Sequence, residues 1–416
     1  MSRDSMPLQE LSLQTSMSSQ PRRNNKRKSR SLLSEGLDTE CTPTDLIQQW
    51  SPSHKHQRLL DQGKENEENV FLLGRRSRRK KGPTSAISWD HLPEELLLRI
   101  FFCLPLQDLL RMSRVCKRWH RLAFDESLWT SVDLEGLTNM DLALEQVLKT
   151  GVRRLRCPRS FVVEIQFTVL SPLQIVQLDL SSSIIPTPGL ASIVCHCTEL
   201  EYLSLEGLQL SDSIINALSK NTNLLQLNVS GCSGFSSAPL ADMLKSCSRI
   251  EQLNISWCDF TNDHVKSVVE NLSSAVTQLN ISGYRESLTL GDIQVLVKRC
   301  RDIHTLDLSD STLLMADCFL VLKELKNLQH LSLSRCYHIH LATLYDLSQM
   351  FPSLSLLEVF GLVHDNQLSS LKNELPNISI NSRPFSTVAR PTPACKSIIL
   401  GDRAMWSRRC RLRVKP

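Results

Sequence analysis

The chain has 416 residues, of which 41% are hydrophobic and 22% charged, and its formal net charge is +5. This composition is typical of a globular protein. No apolar run approaches the ~18 residues that cross a bilayer, and the first residues lack the apolar core of a secretion signal. The 14 cysteines form no CxxC pair. We therefore do not expect this chain to be a membrane protein, a secreted protein or a zinc-finger protein.

The net charge divides the chain into three parts. Residues 1–85 carry 16 Lys and Arg against 10 Asp and Glu, residues 383–416 carry 9 against 1, and the part between them carries 23 against 32. A mildly acidic body is thus flanked by two basic ends. Residues 1–85 are rich in Ser, Gln, Asn, Lys and Arg, which predicts a disordered regulatory region, because such a composition cannot bury a core.

Two basic clusters stand in residues 1–85, at 22–28 and 75–81. A basic run is most often only solvated, and the functional alternative is nuclear import. Nucleic-acid binding is a weaker alternative, because no aromatic residues alternate with the charges for base stacking. The residues predicted to serve import are Lys26, Arg27, Lys28, Arg78, Arg79 and Lys80. We accordingly expect the protein in the nucleus and the cytoplasm.

A KEN tripeptide, Lys64-Glu65-Asn66, also lies in this region, together with an RxxL pattern at 30–33. Both are short enough to occur by chance. If they are functional, they are degradation signals, since a disordered segment leaves them accessible. Ser51-Pro52 and Thr42-Pro43 are possible modification sites.

Residues 86–130 predict a small helical domain. Pro93 suits a first helical turn, and the two acidic residues after it complement the helix N-terminus. We expect one apolar helix face formed by Leu96, Leu97, Ile100, Phe101 and Leu104, a stop at Pro105, a second helix from about Asp108, and a third helix carrying Val115, Cys116, Trp119, Leu122 and Ala123. About 40 residues cannot bury all of these side chains, so the surplus predicts a partner site.

Residues 131–382 contain a repeat. The pattern L-x-x-L-x-L recurs every 21 to 27 residues, and Val132 could begin the series as a degenerate member. Such a period is that of a leucine-rich-repeat solenoid with about ten units, in which short parallel strands line the concave face and helices lie outside. The fold class is therefore α/β. The predicted central residues are Leu155, Leu178, Leu203, Leu227, Leu253, Leu279, Leu306, Leu331, Leu357 and Ile378.

The residues between the repeat leucines predict the chemistry of the concave face. They form a ladder of amides and hydroxyls, such as Gln252, Asn254 and Ser256, which resembles a solvated strand face or a protein-binding surface and no catalytic set. Just past the strands the column changes to Gly231, Trp257, Gly283, Asp310 and Arg335, with Arg285 and Tyr337 nearby. Exposed Trp, Tyr and Arg are enriched at binding hot spots, although Trp257 could instead pack between repeats.

The cysteines of the repeats recur at two positions. Cys197, Cys247 and Cys300 precede a strand, and Cys232, Cys258 and Cys336 follow one. We interpret them as buried packing and turn residues, with metal binding or redox chemistry as the less favoured alternative.

Residues 383–416 lack the repeat pattern. Apolar residues among them, including Phe385, Val388 and Trp406, are too numerous for a purely solvated tail. The tail is basic and the body acidic, so we expect it to fold back on the repeats. Phe385 is predicted to help cap the array and build a partner site, and Trp406 to anchor the returning strand.

Residues 88–130 resemble an F-box. The matching stretches are SWDHLPEELLLRIF and VCKRWHRLAFDESLW, and with the repeats they resemble the F-box/leucine-rich-repeat family of SCF-type ubiquitin-ligase receptors. The resemblance implies docking to the SCF adaptor and, through it, to cullin and RING subunits. The implied adaptor-binding residues are Leu92, Pro93, Glu95, Leu97, Ile100, Phe101, Leu104, Leu109, Val115, Cys116 and Trp119.

Further stretches narrow the resemblance within that family: RCPRSF at 156–161, LSLEGLQLSD at 203–212, LSLSRCY at 331–337 and STVARPT at 386–392. They imply recognition of phosphorylated cyclin-dependent-kinase inhibitors together with a small kinase regulatory subunit, and possibly of cyclin–kinase complexes. The phosphate is then held by the regulatory subunit. The implied contact residues are Trp257, Arg285, Asp310, Arg335, Tyr337 and Phe385.

The prediction is therefore a non-catalytic receptor subunit that needs no cofactor or metal and contacts no membrane and no nucleic acid. It acts by holding substrate lysines near the ubiquitin thioester. A repeat scaffold or inhibitor unconnected to ubiquitin is the second hypothesis, and nucleic-acid binding through the basic ends is the third. The F-box residues separate the first hypothesis from the second, and a steep salt dependence would support the third.

Overall fold

The computed structural model describes residues 89–137, 140–163, 172–391, 410 and 412–413. The basic clusters, the KEN tripeptide and Trp406 lie outside these residues. Within the described part of the chain, no helix is long and apolar enough to span a membrane.

Three short helices form the N-terminal unit. They are α1 (Glu94–Phe102), α2 (Leu106–Met112) and α3 (Lys117–Ala123), flanked by 3₁₀ turns at Trp89–His91 and Glu126–Leu128. Pro93 and Pro105 are the N-caps of α1 and α2, as expected for residues that cannot continue a preceding helix. The second helix starts two residues before the predicted Asp108. Val115 and Cys116 precede α3 rather than lying on it.

The helix faces of α1 also differ from the prediction. Leu97 and Phe101 are buried, whereas Leu96 and Ile100 are 43% and 40% exposed. Residues four apart share a helix face, so α1 has two apolar faces, one turned inward and one turned outward. The predicted single face is wrong, because a run of consecutive apolar residues cannot indicate which of them the neighbouring helices cover.

The repeats follow directly from this unit. Trp129 is buried, stacks on Phe124 at 5.5 Å and donates its indole N–H to the carbonyl of Ala123. The strands are β1 (Ser131–Asp133), β2 (Arg154–Arg156), β3 (Gln177–Asp179), β4 (Tyr202–Ser204), β5 (Gln226–Asn228), β6 (Gln252–Asn254), β7 (Gln278–Asn280), β8 (Thr305–Asp307), β9 (His330–Ser332), β10 (Leu356–Glu358), β11 (Ser379–Ile380) and β12 (Leu412–Arg413).

All described strands belong to one parallel sheet, in which β1 to β11 follow chain order and β12 pairs with β1. Outer helices connect many of the strands. They are α4 (Asp141–Leu148), α5 (Thr187–Val194), α6 (Asp212–Leu218), α7 (Ser237–Ser246), α8 (Asn262–Asn271), α9 (Leu290–Arg299), α10 (Cys318–Leu322), α11 (Leu341–Leu344), α12 (Leu347–Met350) and α13 (Asp365–Glu374). The predicted α/β leucine-rich-repeat solenoid is confirmed.

The register of the sheet follows the predicted leucines with one exception. Val132 pairs with Leu155, and the equivalent pairing continues to Leu357. The partner of Leu357 is Ile380, not the predicted Ile378. Both isoleucines are buried, and residues two apart point to the same side of a strand. The sequence pattern therefore fits either residue, and only strand pairing selects Ile380.

The cysteines have the structural role that we predicted. Cys232, Cys258 and Cys336 are buried, and each thiol donates to a carbonyl of the preceding repeat, as in Cys258 Sγ to Val229 O at 3.0 Å. Cys247 and Cys300 are helix C-caps. Burial raises the pKa of the Cys258 and Cys300 thiols to about 11. Among the described residues, no group of His, Cys, Asp and Glu could hold a metal ion.

Candidate protein-binding surfaces

The amide and hydroxyl ladder is not the solvated face that its composition suggests. Asn228, Asn254 and Asn280 are at most 2% exposed. Each accepts a hydrogen bond from the backbone N–H two residues later, as in Asn254 Oδ1 from Ser256 at 3.2 Å. A short polar side chain that bonds its own strand end occupies little of the concave surface. The ladder therefore shapes the ends of the strands, and most of it is not available to a partner.

The C-terminal tail covers part of this ladder. Asn254 Nδ2 donates to the carbonyl of Val388 at 3.2 Å, and Gln252 Oε1 accepts from the N–H of Ala389 at 3.2 Å. Arg390 pairs with Glu206 at 3.0 Å. Val388 is fully buried. The described tail residues thus cross the concave face from its C-terminal end toward its N-terminal end.

The tail ends at the opposite edge from where it starts. Leu412 pairs with Val132 in β1 and is fully buried, and Arg413 lies 4.0 Å from Asp133. The covered edge is therefore that of β1, and this pairing removes an open strand edge. Phe385, which we predicted to contribute to the cap, is 63% exposed and remains near the C-terminal end.

The first candidate surface is on the F-box. It consists of exposed apolar side chains and one exposed thiol. They are Leu96, Ile100, Phe102, Val115 and Cys116, and we call this set the F-box surface. Pro93 and Glu95 are also exposed, whereas Leu97, Phe101 and Leu109 are internal packing residues. Leu92, Leu104 and Trp119 are half-buried.

Trp119 links the first 3₁₀ turn of this unit to helix α1. Its ring contacts Phe101 at 5.4 Å and Trp89 at 5.8 Å, both edge-on. Trp89 and Phe102, each 55% exposed, were not among the predicted contact residues. The sequence signal was present, because both are large aromatic residues in a domain too small to bury them.

The second candidate surface lies past the C-terminal strands. We call it the C-terminal rim; it comprises Trp257, Arg285, Asp310, Arg335, Tyr337 and Phe385. Asp310 is fully buried and accepts from Arg285 Nε at 2.9 Å and from Arg335 Nε at 3.3 Å. Both guanidinium groups remain largely exposed. One buried carboxylate therefore orients two arginines toward solvent.

Trp257 completes the rim. It is 49% exposed, and the rest of its ring packs on Gly283 of the next repeat. The Arg335 guanidinium carbon lies 5.3 Å from its ring centroid. Tyr337 is 56% exposed. An arginine over an aromatic face gains a cation–π attraction, and this arrangement holds Trp257 and Arg335 together. The structure brings five of the predicted residues together at the rim. Phe385 lines the same pocket as Trp257 and Arg335.

The backbone has positive φ three residues past the end of many of the strands. Gly231, Gly283 and Gly361 have φ between +67° and +95° at the position that follows each strand, and Trp257, Asp310 and Arg335 have φ of 57°, 61° and 60° at the equivalent position. Non-glycine residues there cost about 1 to 3 kcal/mol each. Arg159 and Ser182, which lie outside the rim, have φ of 54° and 55° at the same position after β2 and β3. The conformation therefore belongs to the repeat and does not by itself mark the rim.

Gly283 provides a test of this packing. A Cβ at Gly283 would lie 2.8 Å from Trp257 Cδ2, whereas a Cβ at Gly136, which also has positive φ, meets nothing within 4 Å. Gly136→Ala should cost about 1 kcal/mol from backbone strain alone. Gly283→Ala should cost about 2 to 4 kcal/mol, because ring displacement adds to the strain. Thermal unfolding of both variants measures the difference, and equal melting temperatures would contradict the contact.

The two surfaces and the solenoid define an F-box protein with leucine-rich repeats. A model of the family described as SKP2 LRR domain matches residues 142–413, and an F-box-like model matches residues 89–135. The first match covers more than half of the chain, and the chain therefore belongs to the SKP2 LRR domain family.

Individual relatives are similar over parts of their length. F-box/LRR-repeat protein 12 of Mus musculus is 33% identical over 33% of this chain and 39% of its own length, so the chain matches well under two thirds of that relative. F-box protein SKIP19 of Arabidopsis thaliana is 21% identical over 70% of this chain and 83% of its own length. The solved yeast complex of Rad7 and Elc1 contains a chain that is 16% identical, with a TM-score of 0.38 over 60% of this chain and 67% of that chain. Similarity at that level does not extend the assignment.

Proposed function

We propose that this chain is the substrate-recognition subunit of an SCF-type ubiquitin ligase. The observation that supports the proposal most directly is the F-box surface, on which Ile100, Phe102 and Val115 are 40 to 59% exposed. Exposed apolar residues of this size mark an interface, and the F-box family gives the SCF adaptor as the partner. Cullin and RING subunits then join through the adaptor.

The chain contributes position rather than chemistry to this function. The solenoid and the F-box unit are linked through the buried Trp129, so a substrate on the repeats is held at a defined distance from the adaptor. Tethering raises the effective concentration of substrate lysines at the ubiquitin thioester. The expected result is ubiquitination and proteasomal degradation of the bound protein.

Affinity purification with mass spectrometry tests the proposal. Wild type should recover an adaptor and a cullin, and a variant with a charged F-box surface should lose both while the repeats still recover their own partners. A repeat scaffold unconnected to ubiquitin predicts no adaptor or cullin in either sample. The nucleic-acid alternative rests on the basic ends, most of which lie outside the described residues.

We also propose a finer assignment for the C-terminal rim. The chain closely resembles S-phase kinase-associated protein 2 in the stretches quoted above, and the family model that matches carries the same name. The rim would then bind phosphorylated cyclin-dependent-kinase inhibitors with a small kinase regulatory subunit, to promote S-phase entry. Cyclin–kinase complexes are a further proposed partner. The nucleus and the cytoplasm are the proposed locations. Arg285 and Arg335 both pair with Asp310, which agrees with the phosphate being held by the regulatory subunit.

Variants of the rim test this assignment. Arg335→Ala combined with Tyr337→Ala should weaken binding of the regulatory subunit more than tenfold, because hot-spot truncations cost about 2 to 4 kcal/mol. Adaptor binding should not change. Arg249→Ala is the matched control, since Arg249 is an exposed arginine that bonds Asn223 at 2.7 Å away from the rim. Wild-type ubiquitination of a phosphorylated kinase inhibitor by the double variant would refute the site.

A further inference from the structure

A pocket of about 420 Å³ lies where the tail begins to cross the concave sheet. Its floor is formed by strands β7 to β10, and one wall is the tail segment 383–386. Trp257, Phe360 and Phe385 line it as aromatic residues. The pocket therefore adjoins the C-terminal rim but has its own floor of polar side chains.

The floor of the pocket has a counterpart at the other end of the same sheet. In β1, β2 and β3 the aligned residues are Asp133, Arg156 and Asp179. Arg156 is buried between the two acids, with Nη1 3.1 Å from Asp133 Oδ2 and Nε 3.3 Å from Asp179 Oδ2. One guanidinium thus serves two buried carboxylates, as buried charges require, and it also pairs with the half-buried Glu135.

In β8, β9 and β10 the same three aligned positions are Asp307, Ser332 and Glu358. The two acids again flank a middle strand, so they stand roughly 10 Å apart at the usual strand spacing. The middle residue is a serine, which bonds Ser309 Oγ at 2.7 Å. The space that a guanidinium occupies over β2 is thus part of the pocket over β9.

Two buried side-chain atoms at this place lack hydrogen-bond partners among the described residues. Glu358 is 2% exposed, and its Oε1 accepts from the N–H of Arg383 at 2.9 Å, whereas its Oε2 has no partner. His330 Nε2 has none either. Burial raises the pKa of Glu358 to about 7, and a cation beside it would favour the ionised carboxylate. Burial lowers the pKa of His330 to about 4, so the imidazole is neutral. A buried acceptor without a donor costs about 1 to 3 kcal/mol.

We propose that this pocket receives an arginine side chain from an extended segment of a partner protein, whose guanidinium lies over Ser332 between Asp307 and Glu358. The planar, forked donors of a guanidinium suit two acceptors in different directions, and the aromatic walls suit its faces. The inference deepens the proposed function, because it assigns a residue type to a partner of the rim.

The arginines of this chain that line the pocket are the competitors for the proposed site. Arg335 pairs with Asp310 and lies over Trp257. Arg390 pairs with Glu206 through Nη2, but its buried Nε has no partner among the described residues and its charge opposes the effect of burial on the pKa of Asp307, so it is a competitor for the site. Arg383 is the nearest competitor, since its charge opposes the effect of burial on the pKa of Glu358. The experiment therefore includes a variant that removes it.

The probe is a set of immobilised nine-residue peptides. The central residue is arginine, citrulline or lysine, and the degenerate flanking positions contain no basic residue. Citrulline has the shape of arginine without the charge. The full chain should be retained at least tenfold better by the arginine set than by the citrulline set. Glu358→Gln and Asp307→Asn should reduce the ratio below about twofold, and Glu251→Gln, which changes an exposed acid of the same sheet, should leave it unchanged.

A second variant fills the site from within. Ser332→Arg copies Arg156, so it should preserve or raise the melting temperature and abolish the arginine preference. Equal retention of the arginine and citrulline sets by wild type would overturn the proposal, as would a preference that survives in Glu358→Gln. A preference that appears only in Arg383→Ala or only in Arg390→Ala would also overturn it, because that arginine would then be the occupant. Adaptor recovery is independent of these results, so either proposal can fail alone.

Discussion

Replacing Ile100 or Val115 by glutamate is expected to abolish recovery of the SCF adaptor while the protein stays folded. Both side chains are exposed, at 40% and 59%, and neither belongs to the internal core of the F-box. Burying an unpaired carboxylate in an apolar interface costs several kcal/mol, which lowers an affinity by more than a hundredfold. Co-purification with tagged adaptor measures the loss.

The matched control is Leu320→Glu on α10, because Leu320 is a large apolar residue that is 71% exposed far along the repeats. It should leave adaptor recovery unchanged.

Trp119→Ala and Leu92→Ala with Pro93→Ala, the changes suggested by the motif, should also abolish binding. Trp119 additionally packs on Phe101, so its truncation tests the folding of the domain as well. Adaptor recovery by both glutamate variants would refute the F-box assignment.

Deleting residues 383–416 is expected to lower the melting temperature by at least about 6 °C. The deletion exposes surface that Val388 and Leu412 now cover, and burial of such side chains contributes about 1.5 to 3 kcal/mol each. In an array of this size 1 kcal/mol corresponds to about 2 to 4 °C. It also opens the edge of β1 and removes the donors to Gln252 and Glu206.

Two point variants separate tail docking from partner binding. Val388→Ala should lower the melting temperature, since Val388 is fully buried, whereas Phe385→Ala should not, since Phe385 is 63% exposed. Phe385→Ala should instead weaken the partner of the rim. Adaptor recovery should survive the deletion. An unchanged melting temperature on deletion, together with full hydrogen exchange of residues 386–391, would leave the tail as a solvated segment.

The architecture was predictable because it depends on local periodicity. A leucine every two residues within a strand and every 21 to 27 residues between strands is compatible with one stacked parallel arrangement. The F-box was predictable for a similar reason, since Pro93, Pro105 and the apolar residues between them specify short helices. Trp257, Asp310 and Arg335 were predicted because large residues replace glycine at one repeat position, whereas Arg285, Tyr337 and Phe385 do not stand at that position.

Other features depend on contacts that no local pattern contains. Ile378 and Ile380 are equivalent by alternation, and pairing with β10 selects Ile380. The burial of the asparagine ladder reflects side chains that bond their own strand ends.

The path of the tail depends on hydrogen bonds between residues 134 to 184 positions apart, such as Asn254 to Val388 and Arg390 to Glu206. The sequence by itself determined the repeat and the F-box and indicated part of the rim, since these follow from spacing and residue type along the chain. Tertiary structure alone decided which apolar residues face outward, how Asp310 joins two arginines and where the tail lies. Each of these depends on the free energy of packing between segments that are distant in the chain, and local spacing contains no information about that packing.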